Sequence, residues 1–161
     1  MHTQGLHYLC SEVIQPAWID YNGHMNVAYY VLVFDAGTDA LLDTLGIDSD
    51  HRKRTLTSTY VLETHINYER ELLLDAPVDI YLQLVDYDHK RIHYALFMQH
   101  RDEKFQAASC EIMLMHMDMK TTRGSPMPDF ALDKLAEITS AQAGLPAPPN
   151  LGSVIGIRRK D

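Results

Sequence analysis

Apolar and small residues recur at three- and four-residue steps from position 27 to 45: Val27, Tyr30, Val31, Phe34, Gly37, Thr38, Leu41, Leu42 and Leu45. That spacing predicts an amphipathic helix with these residues on one face. Asp35, Asp39 and Asp43 form an acidic stripe along it, which suits a half-solvated helix. Asn26, just before the periodicity begins, is an N-cap candidate, and Gly46 is a natural stop. Gly37 on the apolar face costs about 1 kcal/mol against alanine, a cost that the close approach of a sheet would explain.

Elsewhere the period is two. Residues 6–14 read as a first strand, ended by Pro16. In residues 58–70, Tyr60, Leu62, Thr64, Ile66 and Tyr68 face one way, and Val61, Glu63, His65, Asn67 and Glu69 the other. Runs 77–87, 91–100 and 105–118 follow, joined by short polar turns at 86–90 and 101–104 that favour antiparallel hairpins. The run 50–54 reads as a short helix or a loop. After the break at 124–128, Asp129 is an N-cap candidate for a helix over 130–143, with Leu132, Leu135 and Ile138 aligned. One long helix and an antiparallel meander make the chain α+β. Its 161 residues suit one domain, with a core over about 6–119 and an added C-terminal helix and tail over 129–161.

A 46% apolar and 22% charged composition is that of a soluble globular protein, and a net charge of −8 argues against a nucleic-acid partner. No apolar run approaches the ~20 residues of a membrane span. The opening lacks a basic stretch followed by an apolar one, so no secretory signal is read. Cys10 and Cys110 read as free thiols in a reducing cytoplasm. Nine histidines invite a metal search, but His89 and His93 span a turn rather than one helical face. No cysteine pair or His-Glu-x-x-His accompanies them, so no metal is expected.

The chemistry concentrates in Trp18-Ile-Asp20-Tyr21-Asn-Gly23-His24-Met-Asn26-Val27-Ala-Tyr29-Tyr30. If Asn26 caps the helix, its side chain takes the amide of the second or third helical residue, and the Val27 amide stays free to receive developing negative charge. Asp20 lies across a turn that Gly23 makes easy. A carboxylate facing an oxyanion-binding amide is what acyl transfer requires. The same letters also spell an ordinary turn in which Asp20 bonds its own backbone. His24 reads as a general base or, preferably, as a loop-shaping residue.

Asp20-x-x-Gly23-His24-Met25-Asn26, followed by Tyr30 and an amphipathic helix, resembles the signature of hot-dog-fold acyl-CoA thioesterases of the 4-hydroxybenzoyl-CoA thioesterase type. From Trp18 onward the chain is similar to the members of carnitine breakdown that act on betainyl-CoA. Further pieces of that likeness are Glu63-Thr-His-Ile66, Asp88-His-Lys-Arg91 and Leu114-Met-His-Met-Asp118. The resemblance implies a hot-dog fold, an antiparallel sheet wrapped round the long helix. It implies Asp20 as the catalytic carboxylate, acting as nucleophile or base, and the Val27 amide as the group polarising the thioester carbonyl. Many members carry a second Asp two residues before the first, a place taken here by Trp18. It also implies a cytoplasmic enzyme, a homodimer or dimer of dimers with sites across the interface, and no cofactor beyond the coenzyme A of the substrate.

A betainyl group carries a quaternary ammonium, which needs π faces and a negative field. Trp18, Tyr21, Tyr29 and Tyr30 are the candidates to bind it. Glu63 and His65 read as a solvated face or, across a dimer, as substrate contacts. Lys90, Arg91, Arg158, Arg159 and Lys160 are available for the coenzyme phosphates. One alternative is a hydratase with Asp-x-Asn-Pro-x-His, but the proline is absent and His24 comes a residue early. The others are a thioesterase for another small acyl- or aroyl-CoA and a non-catalytic acyl-CoA-binding protein.

Overall fold

A computed structural model describes residues 3–157. Strand β1 (His7–Val13) and a 3-10 turn (Pro16–Trp18) precede helix α1 (Val27–Leu45) and the short helix α2 (Ser49–Thr55). Four long strands follow: β2 (Thr57–Tyr68), β3 (Pro77–Tyr87), β4 (Arg91–His100) and β5 (Gln106–Asp118). The two-residue β6 (Arg123–Gly124) and helix α3 (Asp129–Ala141) complete the order.

Helix α1 has the predicted bounds, because its end signals are local. Asn26 Oδ1 accepts the Ala28 amide at 3.0 Å, and Gly46 adopts the left-handed conformation that ends the helix. Its buried residues are Tyr30, Val33, Phe34, Gly37, Thr38, Leu41 and Leu45. Val27 and Val31, assigned by periodicity to that face, are exposed, and Val33 is buried instead. Residues 27, 31, 35, 39 and 43 form a single i, i+4 row. The two valines therefore extend the exposed acidic stripe rather than the core face. Gly37 is where the sheet comes closest. A Cβ there would lie 2.8 Å from Ile80 Cγ2 and 3.3 Å from Leu96 Cδ1.

The sheet is antiparallel, in the order β1-β3-β4-β5-β2, with β6 pairing β5. Strands β3, β4 and β5 form the expected hairpins. The meander does not extend to β2, which lies beyond β5 and not beside β3. Residues 69–76 are no tight turn. Leu72 is buried there, and its carbonyl accepts the Met25 amide at 2.8 Å. Ile14 and the stretch Asp75–Ala76 also exchange two backbone bonds. The segment is thus fastened to the chain just after β1, and β2 is left to pair at the far edge. A bulge between Val61 and Glu63 breaks the alternation of β2. Tyr60, Leu62, Thr64 and Tyr68, expected inside, are exposed, and Ile66 alone of that set packs on the core.

The core lies between the buried face of α1 and residues such as Ile80, Leu82, Tyr94, Leu96 and Met98 of the central strands. The Tyr94 hydroxyl shares a 2.9 Å hydrogen bond with Thr38 Oγ1 of α1. Helix α3 begins at Asp129 behind Pro128, with no side-chain cap bond, so Asp129 sits in its first turn rather than capping it. Just beyond α3, buried Gln142 donates to the Leu82 carbonyl and accepts the Leu84 amide, both at 2.8 Å. It stands in for a neighbouring strand where β1 runs out at Leu82. Cys10 and Cys110 are free thiols, and burial pushes the Cys110 thiol up to about 12. No helix among the described residues is long and apolar enough to cross a membrane. A curled antiparallel sheet around one long helix is the hot-dog arrangement.

Candidate active site

Residues 18–26 fold as a closed loop against the start of α1. Ile19 and Met25 pair across it. Asp20 N–H donates to the His24 carbonyl at 3.1 Å, and Gly23 N–H donates to the Asp20 carbonyl at 3.0 Å. Gly23 has φ +82°, a conformation that disfavours a side chain. The Asn26 amide donates to the Trp18 carbonyl at 2.9 Å, which holds the cap residue at the loop's exit.

Asp20 is half-buried. Its Oδ1 accepts the Asn22 amide at 2.7 Å, the backbone bond of an ordinary Asx turn. Its Oδ2 has no hydrogen-bond partner among the described residues. The turn therefore occupies one oxygen and leaves the other open. No acceptor among the described residues takes the Val27 amide, which sits at the positive end of a 19-residue helix. Asp20 and Val27 line one cavity of about 510 Å³, together with Tyr21, His24, Met25, Asn26 and Tyr30. A bondable carboxylate oxygen and a free helix-start amide on residues that line the same cavity are the groups that activate an attack on a carbonyl carbon and stabilise the resulting oxyanion.

The other aromatic candidates divide. Tyr21 is almost fully exposed, whereas Tyr30 is buried, and burial above all pushes its hydroxyl pKa up. Trp18 and Tyr29 lie outside the cavity. Their rings stack on each other, with centroids 5.7 Å apart, and both pack on the core, so they brace the loop from behind. His24 shapes the loop through its carbonyl and also lines the cavity.

Glu63 and His65 pair with each other at 3.0 Å and line a separate cavity of about 240 Å³ with His93 and Glu111. Within one chain they do not reach Asp20. Arg91 is held by Asp88 through two bonds of 2.8 and 2.6 Å. Arg158, Arg159 and Lys160 lie outside the described residues. Among the described residues no group of three or more His, Cys, Asp or Glu side chains is placed to hold a metal ion.

Four lining residues have no counterpart in the sequence reading of the site: Tyr68, Glu69, Arg70 and Glu71. Tyr68 ends β2 and the other three follow it, in the segment where Leu72 bonds Met25. No local pattern marks them.

Comparison with known proteins supplies the context. The profile of the thioesterase-like superfamily matches residues 14–135. A betainyl-CoA thioesterase of Pseudomonas aeruginosa is 36% identical over 89% of this chain and 91% of its own. An L-carnitine dehydrogenase/betainyl-CoA thioesterase of Rhizobium meliloti is 34% identical over 94% of this chain, which spans 30% of that longer protein. Among solved structures, a hypothetical protein of Staphylococcus aureus in complex with CoA superposes with a TM-score of 0.89. It shares 26% identity, over 95% of this chain and 96% of that one.

Proposed function

We propose, since the chain belongs to the thioesterase-like superfamily, that it hydrolyses betainyl-CoA to glycine betaine and free coenzyme A. The observation that carries the chemistry is the shared cavity of Asp20 and the Val27 amide. The thioester carbonyl oxygen is taken to sit at that amide. Asp20 Oδ2 either removes a proton from the attacking water or attacks the carbon itself. In the first route the water oxygen bonds the carbonyl carbon, the C–S bond breaks and the coenzyme leaves as thiolate. The proton taken up by Asp20 then passes to that sulfur. One oxyanion donor has been worth about 3–4 kcal/mol in other enzymes, so a single amide is enough to matter. Asn26 serves by holding the amide free, and no cofactor enters the reaction.

The names of the Pseudomonas and Rhizobium relatives support the betainyl group and a place in carnitine breakdown. The reading includes a cytoplasmic acyl-CoA pool and a homodimer or dimer of dimers. Support for assembly comes from the exposed apolar residues Val27, Val31 and Leu32 on α1 and Tyr60, Val61 and Leu62 on the bulged edge strand.

Thiol release from betainyl-, acetyl-, butyryl- and hydroxybenzoyl-CoA tests the assignment. The highest kcat/KM is expected for betainyl-CoA. A higher value for another ester would reassign the substrate, and no release from any of them would leave an acyl-CoA-binding protein.

A further inference from the structure

The geometry points to Tyr30, Tyr68 and Glu71 as the seat of the acyl group's quaternary ammonium. This rests on the betainyl-CoA reading and deepens it. A trimethylammonium group has no N–H to donate, so a site can recognise it only through π faces and an uncompensated negative field. The Asp20 cavity supplies both. Tyr30 and Tyr68 meet edge to face, with centroids 5.2 Å apart at 84°. Buried Tyr30 is fixed by the helix, while Tyr68 is half-exposed at the end of β2.

The charges sort themselves by their partners. Three carboxylates line the cavity, on Asp20, Glu69 and Glu71. Asp20 gives one oxygen to its turn and the other to the proposed reaction, and Glu69 takes hydrogen bonds from Gln106 and Ser109. Glu71 has no hydrogen-bond or ion-pair partner among the described residues. The one arginine of the lining, Arg70, is drawn elsewhere. Its guanidinium pairs with Glu103 at 3.2 Å and lies 3.8 Å from the centroid of the Phe105 ring. The cavity thus keeps the unpartnered Glu71 carboxylate beside an aromatic pair, while its one lining arginine is paired with Glu103. The same field repels anionic acyl groups and gives neutral ones no charge attraction, so the seat selects as well as binds.

The test compares kcat/KM for betainyl-CoA with that for 3,3-dimethylbutyryl-CoA, in which a tert-butyl group replaces trimethylammonium at nearly the same size. The ratio of the two is read in the full chain and in Glu71→Gln, Tyr68→Leu and Tyr68→Phe. Glu71→Gln and Tyr68→Leu should each lower the ratio roughly tenfold, mainly through KM for the cationic ester, on the scale of one desolvated cation–π or charge contact. Tyr68→Phe keeps a π face and should hold the ratio within about twofold. A full-chain ratio well above one that Glu71→Gln and Tyr68→Leu leave unmoved overturns the seat alone. A full-chain ratio at or below one overturns the betainyl reading and the seat with it.

Discussion

Asp20 divides its work between two oxygens. Oδ1 fixes the turn through the Asn22 amide, and Oδ2 stays unpartnered among the described residues, so on the proposed mechanism one residue is both structural and reactive. Such a division is legible in Asp-Tyr-Asn-Gly, because both the Asx turn and the glycine at its end are local signals. Asp79 is the opposite case, a carboxylate wholly committed to structure. It is 8% exposed, and Oδ1 receives Ser11 Oγ at 2.6 Å and Arg101 Nε at 2.9 Å. Burial alone would raise its pKa, but the Arg101 and Ser11 bonds outweigh it and hold the carboxyl below the usual range. A depressed folded value means that the stabilisation is complete above the unfolded value of about 3.9 and is lost as pH falls through the folded one. Asp79→Asn should therefore lower the thermal midpoint clearly at pH 7. The gap from the unaltered chain should narrow below about pH 4. A gap that stays constant from pH 7 to pH 3 would contradict this account of the pair.

Among the elements, α1 was readable to the residue because Asn26, Gly46 and the 3.6-residue period all mark it locally. Its rotation was harder to read. Val27 and Val31 count as apolar in any pattern, and only their shared row with Asp35, Asp39 and Asp43 betrays that they face outward. Strand β2 misled for a related reason: the bulge after Val61 shifts the alternation, and an edge strand lacks a second neighbour to force one face inward. Gly37 tests how closely α1 and the sheet meet. Gly37→Ala would gain about 1 kcal/mol of helix propensity. It would also push a methyl to 2.8 Å from Ile80 Cγ2, on a buried β-branched residue that cannot swing aside. Overpacking of this kind costs about 1–3 kcal/mol. Equilibrium denaturation should thus show Gly37→Ala less stable than the unaltered chain, and a more stable variant would mean a looser contact.

At the scale of the whole molecule, the site is half local and half imported. Asp20, His24, Asn26 and Val27 lie within one short stretch, so their meeting in one cavity could be read from sequence. Tyr68, at the end of β2, and Glu71, just beyond it, arrive only because the strand order sends that segment past the loop, where Leu72 bonds Met25. Pairing of β2 with β5 depends on long-range register, which no window of sequence displays. The net charge of −8 fits poorly with a polyanionic coenzyme, but a negative cavity fits well with a cationic acyl end. The coenzyme end must then rely on local cations. Asp20→Asn is the substitution that isolates the central claim. Asparagine keeps the volume and keeps an oxygen for the Asn22 amide, and it replaces the second, charged oxygen by an NH2 that can act neither as base nor as nucleophile. Thiol release from betainyl-CoA, measured beside the thermal midpoint, should show kcat reduced about 10²–10⁴-fold in a chain that still folds. A folded Asp20→Asn chain that cleaves the thioester at an undiminished rate would contradict the account.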